Sequence, residues 1–210
     1  MARTRATWES SMQKHLEEFR QSEIVGALTD DSICIDCGAN VGEITAIMAE
    51  KGARVYAFEP NPAAYSRLAE RFAHDDKIVC CPNAVSDKSG TARLYFYKYA
   101  DDDQLFWSQG ASICGDKDDI DRDHYVDVEL VNLIDFIRSI DGPIDILKLD
   151  VEGVEFDLLA GIIEHGLHHR IRHILVETHE RHIEKLAAKG AEIRSRIKEM
   201  DIRNIDLGWV

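Results

Sequence analysis

The apolar residues of this chain recur with two different periods, and the change between them is clearest in the first third of the sequence. Ile33–Ile35 is a short apolar run, which is typical of a strand that is covered on both faces. Ile44, Ile47 and Met48 follow at helical spacing, and a second apolar strand is expected over Arg54–Phe58. The pattern therefore predicts a strand, a helix and a second strand in succession.

The same alternation continues through most of the chain and predicts an α/β fold. Three more strands are expected over Lys77–Cys81, Ile144–Asp150 and His173–Glu177, with helices between them. A charged helix over about 182–200 and a last short strand over 204–210 follow. Strands and helices that alternate in this way form a mostly parallel central sheet flanked by helices, here of the Rossmann-like type.

Two segments depart from this alternation. Residues 1–28 have apolar side chains at helical spacing and form a predicted N-terminal helical segment. Residues 89–131 alternate like strands at both ends, over Thr91–Tyr97 and Tyr125–Val131, around an acidic loop. This pattern predicts a β-hairpin-like insertion before the fourth strand. With 210 residues and 45% hydrophobic residues, the whole chain, 1–210, is expected to form a single domain.

Charge and cysteine content narrow the classes of function. A net charge of −14 argues against nucleic acid as the main partner, because phosphate binding requires a basic surface. No apolar run is long enough for a membrane span, and the charged N-terminus lacks the apolar centre of a secretory signal. Five cysteines, an odd number, suit a reducing compartment, so a cytoplasmic protein is expected. The sequence leaves the oligomeric state open.

The loop after the first strand has the features of a cofactor site. The strand ends at Asp36, and Gly38 and Gly42 follow with Asn40 between them. Glycine lets the backbone turn sharply and lets a ligand approach without meeting a Cβ. The second strand ends at Glu59, which is placed to accept hydrogen bonds from both hydroxyls of a ribose, as in dinucleotide folds. These features predict a pocket for a nucleoside-containing cofactor.

The spacing within this loop argues against a nicotinamide dinucleotide. The dinucleotide fingerprint requires G-x-G-x-x-G, and Asn40 stands where its second glycine belongs. Asp36 adds a negative charge, which disfavours phosphates and favours an ammonium or a sulfonium. The D-x-G-x-x-x-G pattern resembles motif I of Rossmann-like S-adenosylmethionine-dependent methyltransferases. A nicotinamide-dependent oxidoreductase and a βαβ unit without a ligand are the less favoured alternatives.

Polar residues after the later strands are expected to join the pocket. Asn83 follows the third strand and either hydrogen-bonds the adenine edge or forms an Asx turn, and the spacing does not separate the two. Asp150 and Glu152 follow the fourth strand, and His179 follows the fifth. Because ligands of open α/β sheets bind beyond the carboxyl ends of the strands, Asp36, Glu59 and Asp150 should converge on one crevice. Asp150, Glu152 and His179 are expected at the ends of neighbouring strands.

Six motifs together resemble one known family. In chain order they are ICIDCGANVGE, VYAFEPNP, NAVSD, VNLIDFI, ILKLDVEGVEFDLLAG and ILVETH. In content and order they closely resemble the FkbM family of S-adenosylmethionine-dependent methyltransferases, over residues 33–179. One departure concerns the C-terminus, where about one strand's worth of sequence stands in place of the antiparallel hairpin that ends the usual methyltransferase sheet.

The resemblance implies a class I methyltransferase fold and O-methylation of hydroxyls on sugars, macrolides and related secondary metabolites. The acceptor would be a small molecule, either a glycoside or a polyketide-like compound with a hydroxyl group. The cofactor would be S-adenosylmethionine. The residues expected to hold it are Asp36, Gly38, Ala39, Asn40, Gly42, Glu59, Pro60, Asn61, Asn83, Ala84 and Asp150.

Three residues are the candidate catalytic groups. Transfer to an alcohol needs a positioned base, and Glu152 or His179 is expected to serve, with Asp150 positioning the methionine amine of the cofactor. In the alternative, Glu152 only caps the following helix. No metal ligands are predicted, and a metal-assisted route through the acidic groups is the lesser alternative. A protein that binds the cofactor, has lost catalysis and acts by interaction is the remaining alternative function.

The insertion is expected to reach over the crevice as a lid or acceptor wall. The insertion begins shortly after Asn83, on the expected adenine side of the pocket, and ends before the strand that ends at Asp150. Its aromatic rings either stack on a sugar ring or fill the space beneath a long loop, and the two alternatives stay open. These aromatic residues are Tyr95, Tyr97, Tyr99, Phe106 and Trp107.

Overall fold

The computed structural model describes residues 5–98, 108, 110–115, 117–118, 120–181, 183 and 185–209. The strands are β1 (Ile33–Cys37), β2 (Arg54–Phe58), β3 (Ile78–Cys81), β4 (Ala84–Ser86), β5 (Gly90–Tyr97), β6 (Ile120–Asn132), β7 (Ile144–Leu149), β8 (Ile171–Val176) and β9 (Ile205–Asp206). The helices are α1 (Arg5–Gln21), α2 (Glu23–Gly26), α3 (Glu43–Ala49), α4 (Pro62–Arg71), α5 (Leu133–Ser139), α6 (Glu155–Glu164) and α7 (Leu186–Glu199).

The central sheet has six strands in the order β3-β2-β1-β7-β8-β9, and every neighbouring pair is parallel. Helices α1 to α4 pack on one face, and α5 to α7 pack on the other. All six residues of β7 are buried, since helices cover both faces of this central strand. The expected α/β fold, with a mostly parallel sheet between two layers of helices, is confirmed.

The order in which the chain adds strands to the sheet reverses between β1 and β7, which lie side by side and parallel at its centre. From β1 the chain crosses one face to β2, whereas from β7 it crosses the other face to β8. Asp36 lies opposite Lys148 and Cys37 opposite Leu149 in this pair. The carboxyl ends of adjacent strands that lead to opposite faces form the crevice where open α/β sheets bind their ligands.

The insertion forms a second, three-stranded sheet in the order β4-β6-β5. Strands β5 and β6 are antiparallel, which confirms the hairpin-like arrangement, and β4 is parallel to β6. Strand β6 begins at Ile120 rather than at the expected Tyr125. The register shifts between Tyr95 and Phe96, and Phe96 then pairs with Asp121. Strand β6 therefore extends through the polar residues before Tyr125, where the sequence has no alternation of apolar residues that would predict a strand.

The far edge of the sheet is shorter than the sequence pattern predicted. Strand β9 has two residues and is parallel to β8, in place of the expected strand over 204–210. It ends because Asp206 Oδ1 accepts the N–H of Gly208 at 2.9 Å, which turns the chain. Trp209 then lies against α1, with ring centroids 4.7 Å from His15 and 5.9 Å from Phe19.

Candidate active site

The glycine loop between β1 and α3 is fixed by contacts with the protein's own backbone. The N–H groups of Gly38 and Ala39 both donate to the carbonyl oxygen of Phe58 at 2.9 Å. Gly38 has a φ of +80°, and a Cβ there would lie 1.8 Å from the carbonyl oxygen of Asp150. The sequence pattern assigned this glycine to ligand approach. In the structure, the close approach of the chain after β7 already requires it.

Glu59, at the end of β2, joins two loops. Its Oε2 accepts the N–H of Asn40 and its Oε1 accepts the N–H of Asn61, both at 2.8 Å. The side chain is almost fully buried, and burial raises the pKa of Glu59 to about 7 against the opposing effect of these two donors. Each carboxylate oxygen has a second lone pair beyond these two hydrogen bonds.

Lys148 in β7 is a buried charge that the sequence analysis did not single out. Its Nζ donates to the carbonyl oxygen of Gly38 at 2.6 Å and lies 3.4 Å from Asp36 Oδ1 and 3.2 Å from Asp150 Oδ2. Burial alone would lower the pKa of Lys148, but the charges of Asp150 and Asp36 outweigh it and raise the pKa. The available signal was a lysine between two leucines in a mostly apolar strand.

Asp36 completes the contacts at the end of β1. Its Oδ2 accepts the hydroxyl of Thr45 at 2.6 Å, whereas its Oδ1 makes no hydrogen bond within the described residues. The whole side chain is shielded from solvent. A buried carboxylate oxygen beside the glycine loop therefore retains acceptor capacity.

Asp150, Glu152 and His179 come together beyond β7 and β8. His179 Nε2 lies 3.2 Å from Glu152 Oε2 and 3.8 Å from Asp150 Oδ1. A fourth group, Glu177, places Oε1 at 4.0 Å from the same nitrogen. Glu152 has a φ of +58°, a strained conformation for a residue other than glycine, of the kind that clusters at functional sites. The neighbouring ends of β7 and β8 thus bring these four groups together.

The ring of His179 is oriented by Glu155, the first residue of α6. Glu155 is fully buried, and its Oε1 lies 2.7 Å from His179 Nδ1. Because an ionised carboxylate only accepts, Nδ1 carries a proton, and Nε2 lies on the side of Asp150 and Glu152. Both carboxylate oxygens of Glu155 also accept the N–H of Gly153, at 3.0 and 3.1 Å. The sequence analysis missed Glu155, although it is the second acidic residue of the VEGVE motif.

The electrostatic environment of this cluster is strongly acidic. Burial alone would lower the pKa of His179, but its hydrogen bond to Glu155 and the charge of Glu152 raise the pKa to about 10. Burial, with the charge of Asp150, raises the pKa of Glu177 to about 7. Both shifts have one cause in common, the several carboxylates that surround the ring of His179.

The insertion contacts both halves of this site. Asn40 Nδ2 donates to Ser108 Oγ at 3.0 Å, on the side of the glycine loop. On the other side, Lys117 Nζ lies 2.6 Å from Glu152 Oε2, and the Ser112 hydroxyl donates to the carbonyl oxygen of Glu152 at 2.5 Å. No sequence pattern indicated these contacts, because they join residues far apart in the chain.

The aromatic residues of the insertion have separate positions. Tyr95 packs edge-on against Tyr125, with centroids 5.9 Å apart, and Tyr97 packs against Gly110. Both tyrosines therefore contact the insertion itself. The remaining three residues of the expected acceptor wall, Tyr99, Phe106 and Trp107, lie outside the described residues.

The other predicted cofactor residues lie at the same edge of the sheet. Pro60 follows Glu59, and Asn61 caps α4 by accepting the N–H groups of Ala63 and Ala64 at 3.0 and 3.4 Å. The side-chain oxygen of Asn61 is thus used inside the protein. Asn83 and Ala84 follow β3, whose last residue, Cys81, accepts the N–H of Glu59 at 3.0 Å.

Two cavities lie away from this cluster, at the amino edge of the sheet. One, of about 410 Å³, lies between the starts of β1 and β2 and the end of α5. The other, of about 670 Å³, lies beside the start of β8 and carries His168, His169 and His173. Neither contains a residue of the glycine loop or of the Asp150–Glu152–His179 cluster.

Residues 36–203 match the methyltransferase FkbM domain, and the chain therefore belongs to the FkbM family of methyltransferases. The cofactor is accordingly S-adenosylmethionine, and the protein is an S-adenosylmethionine-dependent methyltransferase. None of the helices in the described ranges has the length and apolar content that a membrane crossing requires.

Curated relatives carry methyltransferase names. The chain is 29% identical over 183 residues to methyltransferase sdnD of Sordaria araneosa, covering 74% of this chain and 70% of the relative. It is 28% identical over 174 residues to 2-O-methyltransferase NoeI of Sinorhizobium fredii, covering 72% of this chain and 71% of the relative. A third relative, methyltransferase 1 of Beauveria bassiana, is 26% identical over 66% of this chain and 61% of its own length.

Solved structures are similar to this chain at lower sequence identity. An rRNA methylase from Streptococcus thermophilus has a TM-score of 0.43 and 13% identity, covering 83% of this chain and 74% of that one. A Clostridium thermocellum protein described as a putative rRNA methylase has a TM-score of 0.47 and 12% identity, covering 89% and 79%.

Replacement of Glu59 should weaken cofactor binding. Glu59→Ala removes an acceptor for ribose hydroxyls, and a hydrogen bond to a charged group contributes about 1.5–3 kcal/mol, so affinity should fall roughly ten-fold or more. Calorimetric titration with S-adenosylmethionine measures this, with the exposed Glu70→Ala as the matched control. An unchanged affinity in Glu59→Ala would show that Glu59 does not hold the ribose.

The stability contributed by Glu59 should depend on pH. Its pKa is about 7 in the folded protein against an ordinary 4.5, so the folded state binds the proton more tightly. This contribution is fully present below the ordinary pKa and is lost as the pH rises through the folded value. From pH 5 to pH 8, wild type should lose about 2–3 kcal/mol of unfolding free energy relative to Glu59→Ala. Urea unfolding of both proteins at each pH provides the comparison, and parallel pH dependences would contradict a buried carboxyl with a raised pKa.

Proposed function

We propose that this protein transfers the methyl group of S-adenosylmethionine to a hydroxyl oxygen of a small-molecule acceptor of the sugar or secondary-metabolite type. The observation that carries the proposal is the cluster of Asp150, Glu152 and His179 beside the glycine loop. The name of one relative, 2-O-methyltransferase NoeI, supports oxygen as the atom that is methylated.

The cofactor is proposed to lie across the ends of β2, β1 and β7. Glu59 holds the ribose hydroxyls, and Asn83 lies on the adenine side. The sulfonium and the ammonium group of the cofactor are cations, which suits the carboxylate-bearing ends of β1 and β7, where Asp36 and Asp150 share Lys148. The full set is the one expected from the motifs: Asp36, Gly38, Ala39, Asn40, Gly42, Glu59, Pro60, Asn61, Asn83, Ala84 and Asp150.

The transfer is an in-line displacement at the methyl carbon. The acceptor oxygen forms its bond to that carbon while the carbon–sulfur bond breaks, and the electron pair of that bond returns to sulfur to give S-adenosylhomocysteine. Positioning of the two reactants supplies much of the rate. An alcohol is a weak nucleophile near neutral pH, so its proton must leave as the new bond forms. The proposed role of the Asp150–Glu152–His179 cluster is to activate the hydroxyl.

The geometry supports this role because the reactive groups are held rigidly. Glu155 fixes the ring of His179, and Lys117 fixes the carboxylate of Glu152. Lys148 fixes Asp150 relative to the glycine loop. Groups held in this way need little reorganisation during the reaction.

Incubation with S-adenosylmethionine that carries a trideuteriomethyl group tests the proposal. Glycosides and polyketide-like alcohols are offered beside matched amines and thiols, and products are read by mass spectrometry. At least one alcohol should gain the labelled methyl group on oxygen. Methylation confined to the amines or thiols would contradict the proposal.

Variants separate binding from chemistry. Glu152→Gln and His179→Ala should lower turnover about 10²–10⁴-fold, the usual range for acid–base groups, with nearly unchanged cofactor affinity. Asp150→Asn should lower both turnover and affinity, because Asp150 also contacts Lys148. His74→Gln, an exposed histidine after α4, is the control and should change neither. Full turnover in both Glu152→Gln and His179→Ala would show that this cluster takes no part in the reaction.

A further inference from the structure

We propose that Asp150, Glu152 and His179 bind a divalent metal ion, and that this ion holds and deprotonates the acceptor hydroxyl. The ion site is argued from the side chains alone, whereas its role in deprotonation rests on the proposed function. This proposal replaces the expectation from the sequence that the protein has no metal ligands.

The spacing of the three side chains suits a shared ion. One ligand atom from each residue lies within 4.8 Å of those from the other two. His179 Nε2 is 3.2 Å from Glu152 Oε2 and 3.8 Å from Asp150 Oδ1. Nitrogen and oxygen ligands lie about 2.0–2.2 Å from a first-row divalent ion, so two ligands of one ion are about 3–4.4 Å apart. The two distances from Nε2 fall within that range.

The surroundings of these three residues have the form of an outer coordination shell. A histidine that binds a metal usually donates its other ring nitrogen to a carboxylate, which fixes the ring and directs the lone pair of the first nitrogen. Glu155 has this position at His179 Nδ1, at 2.7 Å. Ligating carboxylates are themselves hydrogen-bonded, as Glu152 is by Lys117 at 2.6 Å.

Charge gives an independent reason to expect a cation. Four carboxylates lie within 4.0 Å of the ring nitrogens of His179: Asp150, Glu152, Glu155 and Glu177. The lysines that pair with this group are Lys117 and Lys148, and Lys148 is shared with Asp36. These two lysines are shared among the four carboxylates and Asp36, so carboxylates outnumber the lysines that pair with them. Burying unpaired charge is costly, and a divalent cation would offset the excess.

The ligand set indicates the class of ion. Imidazole suits Zn²⁺ and similar first-row ions, and carboxylates suit Mn²⁺, whereas Ca²⁺ takes six to eight oxygen ligands. One imidazole with two carboxylates therefore favours Mn²⁺ or Zn²⁺. Three protein ligands leave an open position, which is the property of catalytic rather than structural sites.

The open position is where the acceptor hydroxyl would coordinate. A bound divalent ion lowers the pKa of a coordinated hydroxyl, so the proton leaves at neutral pH. The proton leaves to solvent, and the alkoxide oxygen then attacks the methyl carbon of the cofactor. The carbon–sulfur bond breaks with its electrons going to sulfur, so charge and atoms balance without another reactant.

Metal binding is measured without cofactor or acceptor. The full-length protein is stripped with chelator, dialysed and titrated with Mn²⁺ or Zn²⁺ by calorimetry. Wild type should show one saturable site. His179→Gln and Glu152→Gln should weaken it about ten-fold or more, because each loses a ligand or its charge. His74→Gln should bind as wild type does.

Two results would overturn the ion site. One is the lack of saturable binding of either ion by wild type. The other is unchanged affinity in both variants, which would place the ion elsewhere, for example on the acidic loop of the insertion. Circular dichroism and S-adenosylmethionine binding test whether each variant is folded. If a variant is unfolded, the titration of the wild-type protein still tests the ion site.

The methyl-transfer assay separates this proposal from the proposed function. Full-rate methylation of an alcohol by stripped protein in chelator would overturn the role of the ion and leave the proposed function standing. Saturable ion binding at this cluster with methylation confined to amines or thiols would support the ion site and contradict the proposed function. Loss of alcohol methylation in chelator, restored by Mn²⁺ or Zn²⁺, would support both.

Discussion

The buried lysine of β7 holds together the two strand ends on which the site depends. Lys148 contacts the carbonyl oxygen of Gly38, Asp36 at the end of β1 and Asp150 after β7. Removing one partner of a buried ion pair typically costs about 3–5 kcal/mol, because the other charge is left uncompensated. The crevice lies between the ends of β1 and β7, from which the chain crosses to opposite faces of the sheet. Lys148 sets the relative position of these two strand ends.

The two halves of the site extend outward from that contact. On the β1 and β2 side, Glu59 joins the glycine loop to the start of α4 through the N–H groups of Asn40 and Asn61. On the β7 and β8 side, Glu155 joins the start of α6 to His179. In each half, a buried carboxylate orders the loop or ring that faces the crevice. The insertion then contacts both halves through Ser108 and Lys117.

Local patterns in the sequence predicted the parts of this arrangement that depend on nearby residues. Apolar periodicity located the strands of the central sheet, and Asn61-Pro62 marked the start of α4, because capping and strand burial leave local signatures. The position of the site at the strand ends was predicted from the rule that ligands of parallel sheets bind beyond the carboxyl ends of the strands. Glu59 was identified in this way.

The contacts that the sequence did not predict join residues distant in the chain. Glu155 and His179 are 24 positions apart, and Lys117 and Glu152 are 35 apart, so no short motif contains both partners. Gly38 was predicted from a sharp turn and from ligand approach, whereas the close approach of the Asp150 carbonyl was not predicted, because it depends on how β7 packs beside β1. The strand expected over 204–210 has only the two residues of β9, because Trp209 after it packs on α1 instead of extending the strand.

The central claim is that cofactor and acceptor meet where β1 and β7 end. A crystal structure with S-adenosylhomocysteine bound tests it most directly. The ribose hydroxyls should lie within hydrogen-bond distance of Glu59, with the sulfur atom directed towards Asp150 and His179. A cofactor product bound with its ribose away from Glu59, or in one of the cavities at the amino edge of the sheet, would contradict the claim.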